Sequence, residues 1–113
     1  MPAPERFTQL SVPWQVLVRI CQSIDYGQVL RLGVRDCEPV FDPPPTMLVD
    51  VKLDASEDAR PELDLADFVL RDEIRRLFAQ LEQLRDGTVE RIECRSGIPR
   101  RVIIERRLTE VPR

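Results

Sequence analysis

A chain of 113 residues has room for one compact domain with a modest core and too little for two, since a domain of this size hides roughly two-thirds of its unfolded surface. With 42% hydrophobic and 33% charged residues it holds enough apolar area to fold, which excludes disorder of the whole. The formal net charge of −3 argues against non-specific binding to nucleic acid or to a membrane surface, although the charge is unevenly placed.

Residues 1–10 contain two prolines and no periodicity, and they read as a flexible arm. At Ser11 a helix signal begins: a capping side chain, then Pro13 in the first turn, where its missing N–H costs nothing. Trp14, Leu17, Val18, Cys21 and Ile24 recur at three- and four-residue steps and share one face, which Val16 and Ile20 broaden. Gly27 is expected to stop this helix in the left-handed conformation. From Gln28 to Val34 a strand follows, with Leu30, Leu32 and Val34 on one face and Val29, Arg31 and Gly33 on the other. The turn Arg35-Asp36-Cys37-Glu38 leads to Pro39. Pro43, Pro44 and Pro45 then interrupt the pattern, and three prolines belong in an edge bulge or rigid loop. Met47, Val49, Val51 and Leu53 alternate with Leu48, Asp50 and Lys52, as in a half-buried strand. The acidic run Asp54 to Glu62 is the expected linker.

A second helix is expected from Asp64, with Asp67 at its third position and Leu63 and Phe68 closing a hydrophobic staple. Its apolar face is Leu65, Phe68, Val69, Ile74, Leu77, Phe78, Leu81 and Leu84. Acids at its start and arginines later suit the helix dipole, and Gly87 ends it. Thr88 to Cys94 and Pro99 to Leu108 form a hairpin around Ser96-Gly97, a tight turn that needs positive φ.

This second half restates the first. Sixty positions apart, Leu17 answers Leu77, Cys21 Leu81, Ile24 Leu84, Gly27 Gly87, Val29 Val89, Arg31 Arg91, Leu32 Ile92, Val34 Cys94, Arg35 Arg95 and Pro39 Pro99. The expected domain is a single α+β unit over residues 11–108, built from helix-strand-strand repeats 11–53 and 63–108, with a tail over 109–113. Its four strands form one antiparallel sheet with both helices on the face carrying Leu30, Leu32, Val34, Ile92 and Cys94. Cys37 stands where the second turn has Gly97, so positive φ is expected there too.

Period two puts Arg31, Arg35, Arg91, Arg95, Arg101 and Arg107 on the other sheet face, with Lys52, Asp50, Glu93, Glu105, Leu48 and Ile103. Such a face is either a solvated surface whose charges pair across strands or a binding surface for an anionic partner. Sheets that read single strands stack bases on aromatic residues, and none is expected on this face, so a protein partner or self-association is favoured over nucleic acid. The chain has no histidine, and Cys21, Cys37 and Cys94 have no Cys-x-x-Cys spacing, so no metal and no cofactor are expected. Cys21 and Cys94 read as small core residues of a reducing compartment. Without histidine, and with Asp25 and Asp86 placed as turn residues, nothing argues for catalysis; an accessory subunit of an enzyme is the remaining alternative. No apolar run is long enough to cross a bilayer and the first residues have no apolar leader core, so the expected compartment is the cytoplasm, with no membrane contact.

The segment Ile24-Asp25-Tyr26-Gly27-Gln28-Val29, followed by Val34-Arg35-Asp36-Cys37-Glu38-Pro39-Val40, resembles the short bacterial YezD-like proteins, in which a helix leads into I-x-[FY]-G-x-[VI] and a V-x-D-G-x-[VI] hairpin. Leu84 to Ile104 resembles it as well. This chain departs from that pattern by doubling the unit, by Cys37 at the turn glycine and by the proline insertion. The resemblance implies a small bacterial protein and brings no catalytic residues with it.

Overall fold

The computed structural model describes residues 3–53 and 65–106. A short 3-10 turn (Phe7–Gln9) precedes helix α1 (Val12–Ser23), strands β1 (Tyr26–Arg35), β2 (Glu38–Val40) and β3 (Thr46–Val49), helix α2 (Asp72–Leu84), and strands β4 (Gly87–Arg95) and β5 (Ile98–Glu105). The fold is α+β, with two helices and one antiparallel sheet in the order β2-β1-β4-β5. Among the described residues there are five strands rather than the four expected. Residues 41–45, with their three prolines, split the second arm of the first hairpin, so β2 and β3 both pair with the same edge of β1. The central ladder runs from Tyr26 opposite Arg95 to Val34 opposite Gly87.

Helix α1 begins as its composition dictates, with Ser11 extended at the N-cap and Pro13 in the first turn. The Ser11 hydroxyl donates to the Glu38 carboxylate at 2.5 Å instead of capping its own helix. The helix ends at Ser23, where the Ile24 N–H returns to the Cys21 carbonyl. Gly27 is therefore not its cap but lies inside β1. A Cβ built there would stand 2.1 Å from the Leu48 carbonyl oxygen, so glycine is what lets β3 approach β1. Helix α2 starts later than expected, at Asp72. Leu63 and Asp64 lie outside the described residues, and 65–71 are not helical. Its end is set by Arg85 at φ 63°, not by Gly87.

The core gathers Trp14, Leu17, Val18, Cys21 and Ile24 from α1 and its cap, Ile74, Leu77 and Leu81 from α2, and Val29, Leu32, Val34, Val89, Ile92 and Cys94 from the sheet. Trp14 stacks at a tilt on Phe78, with centroids 4.9 Å apart. The neighbouring Cys94 thiol, and then burial, push the Cys21 thiol well above the ordinary range, so it is an inert core group.

Residues 3–10 are held against this core rather than free. Phe7 and Leu10 are buried, the Phe7 ring stacks on Phe68 at 4.9 Å, and Arg6 bridges to Val69. Burying two large side chains outweighs the lack of periodicity that made this stretch read as an arm.

Strand β1 carries a further correction. Val29, not Leu30, faces the helices with Leu32 and Val34. Leu30 pairs with Arg91 and Leu32 with Val89, and between them Arg31 takes φ 57°. Arg31 and Glu90 drop out of the ladder together, so the register is the same on both sides while the side-chain alternation reverses. In β4 the buried residues follow the same step, at Val89 and then Ile92. Strand β3 also departs from expectation: it ends at Val49, and Met47, Leu48 and Val49, like Val51 and Leu53 beyond it, are exposed.

Candidate functional site

Both helices cover one face of the sheet, and the opposite face is the candidate site. Cross-strand register orders its side chains into rows. One row runs Thr46, Leu30, Arg91, Ile103; the next runs Leu48, Gln28, Glu93, Arg101. Toward one end lie Tyr26, Arg95 and Ile98, and toward the other Val40, Gly33, Thr88 and Glu105.

Arg91 is at the centre of this face, half-buried, between Leu30 on one strand and Ile103 on the other. Its Nε is enclosed and has no hydrogen-bond partner. A buried donor left in this state is costly, about 1–3 kcal/mol. Arg101 approaches Glu93 at 3.8 Å with its side chain mostly exposed. At the irregularity in β1, Arg31 donates to the Thr46 hydroxyl at 3.0 Å. Arg35 and Arg95 are exposed at the C-terminal ends of antiparallel neighbours, hence at opposite ends of the face. Arg107 lies outside the described residues.

The five described arginines of the six singled out by period two thus do not form one patch. Arg91 and Arg101 come together beside Glu93, Arg31 and Arg35 line a separate depression with Gly33, Asp42, Glu90 and Glu105, and Arg95 stands at the opposite end. Asp50 follows β3, with its N–H on the Tyr26 carbonyl at 2.7 Å. Leu30 is an addition that sequence reasoning missed, because nothing in the composition of β1 marks the irregularity at Arg31. Tyr26 was missed too. It is an aromatic ring on this face, but the Lys52 ammonium sits 5.1 Å from its centroid and occupies it.

Among the described residues no three His, Cys, Asp or Glu side chains converge as metal ligands would, and no helix is long and apolar enough to cross a membrane. The fold and this face together define an α+β module with one uncovered, mixed-charge sheet surface. No protein-family model, curated protein or solved structure matches the chain.

Proposed function

We propose that this protein is a non-catalytic binding module whose uncovered sheet face takes an acidic protein partner, with Arg91 as the central contact. The observation that carries this reading is the half-buried Arg91 at the centre of the uncovered face, flanked by the apolar Leu30 and Ile103. A carboxylate offered by a partner would pair with the guanidinium, and the two apolar neighbours would keep water from the pair. A protein is favoured over nucleic acid because the arginines are dispersed among Glu93 and Glu105, and the one ring on the face is already occupied by Lys52.

The same reading takes the chain as a doubled helix-hairpin unit of YezD-like type. Support comes from the element bounds: α1 and α2 begin at Val12 and Asp72, and β2 and β5 at Glu38 and Ile98, each pair sixty positions apart. Buried Leu17, Cys21, Val29, Leu32 and Val34 answer buried Leu77, Leu81, Val89, Ile92 and Cys94. Positive φ at Asp36 and Cys37 is matched at Ser96 and Gly97.

Arg91→Met tests the binding reading, since methionine keeps most of the chain length and removes the orphaned donor. The variant should fold with unchanged or slightly higher stability, by up to about 1 kcal/mol in chemical denaturation. It should fail to recover, from a nuclease-treated bacterial lysate, a protein that the wild type retains. Equal recovery by both would sink the proposal. So would a gel shift of the wild type with RNA that weakens by roughly one power of salt concentration per phosphate contacted.

A further inference from the structure

We propose that a second copy of this chain pairs with the first through β5, strand against antiparallel strand, joining the two sheets into one. Strand β5 ends the sheet, and on its far side no described residue supplies a backbone partner. Strand β5, Ile98–Glu105, turns the N–H and C=O groups of alternate residues away from β4, and it contains the apolar run Val102-Ile103-Ile104. An open edge of that length and composition is a template for another strand.

The charges on β5 favour a second copy and the register that sets opposite charges against each other. Arg101, Ile103 and Glu105 lie on the uncovered face, opposite Glu93, Arg91 and Thr88 of β4. A twofold axis at Ile103 sets Ile103 against itself and Arg101 against Glu105 of the second copy, and the reverse, with Cβ atoms about 4.5–5.5 Å apart. On the helix-covered face Val102 meets Ile104. Moving the axis to Arg101 or to Glu105 would set like charges directly opposite, which is unfavourable. Arg100, which this register brings toward Arg106 of the second copy, is already paired with Glu73 at 2.9 Å. A depression between α2 and β5, lined by Leu77, Pro99 and Val102, lies beside the same edge.

Pairing stops at two copies because the opposite edge is unsuitable. There β2 and β3 span three and four residues, and Pro43, Pro44 and Pro45 separate them, so no partner strand finds a continuous row of donors. One open edge per chain yields a closed twofold pair; two would yield an open array. This inference rests on β5 alone and is independent of the Arg91 reading.

Sedimentation equilibrium of the full chain tests it. The wild type should show twice the chain mass. Arg101→Glu alone and Glu105→Arg alone each convert two attractive contacts into two repulsive ones, and each should weaken the pair about tenfold or more. The double variant Arg101→Glu/Glu105→Arg restores complementarity and should restore the pair, a rescue that misfolding would not give. A wild type that stays at single-chain mass at its highest soluble concentration overturns the proposal. So does a pair indifferent to both single changes, or one that the double change fails to restore.

Discussion

Cys37 sits in the first hairpin turn at φ 65°, matched in the second turn by Gly97 at 73°. Left-handed backbone costs a residue with a Cβ about 1–2 kcal/mol, whereas glycine returns about 0.4–1 kcal/mol of that through the entropy of the unfolded chain. The contacts that hold this turn are mostly main-chain: the Cys37 N–H donates to the Arg85 carbonyl at 2.8 Å, and the Trp14 indole N–H donates to the Cys37 carbonyl at 3.2 Å. Only a weak thiol contact to the Glu82 carbonyl, at 3.5 Å, depends on the side chain. Cys37→Gly should therefore be neutral to mildly stabilising in urea denaturation, and a clear fall in midpoint would assign the thiol contact more weight than its length suggests. The positive φ is legible in the sequence, from the match of Cys37 to a Ser-Gly turn. Arg31, also at positive φ, carried no such mark, because arginine inside an alternating strand looks like an ordinary outward residue. One unmarked irregularity was enough to exchange Val29 and Leu30 between faces, and with them part of the candidate site.

Helices and hairpins were legible because they rest on local signals: three- and four-residue apolar spacing, Pro13 in a first turn, Ser-Gly at a tight turn. The stretch before α2 was not, because long-range contacts determine it. Asp67 looks like a helix-start acid in a sequence ending in an apolar periodic run, yet its carboxylate accepts from Arg6 Nε at 2.7 Å and from the Thr8 N–H at 3.0 Å. These two contacts, Arg6 first, hold its pKa at about 2, below the ordinary 3.8. The folded form thus binds this proton less readily than the unfolded chain does. Its contribution to stability is full above about pH 4 and fades as pH falls toward 2. Asp67→Asn should lower the melting temperature at neutral pH, and the gap from wild type should close between about pH 4 and pH 2. A gap that stays constant through that range would mean that the ionised carboxylate does not tie residues 5–10 to the segment before α2.

At the scale of the whole molecule, the proposed repeat would give the two halves one plan with different edges, and this difference has a consequence for either half alone. Shifting the first half by sixty positions turns the central ladder into a pairing of β4 with a second β4. Val29 opposite Ile92 becomes Val89 opposite Ile92, and Gln28 opposite Glu93 becomes Thr88 opposite Glu93. Leu30 opposite Arg91 becomes Glu90 opposite Arg91, a favourable charge pair in place of an apolar one. Residues 63–113 expressed alone are too few to bury a core as a monomer, and a twofold pair would rebuild the sheet. Such a pair would carry β5 at both edges, without the prolines that block one edge of the intact chain, and would go on associating. The fragment is therefore best made with Glu105→Arg, which sets like charges across that second contact. It should sediment at twice its own mass, with the circular dichroism of a mixed helix and sheet fold. A fragment that remains an unfolded monomer would show that β4 does not pair with a second β4, and would count against reading the chain as one unit written twice.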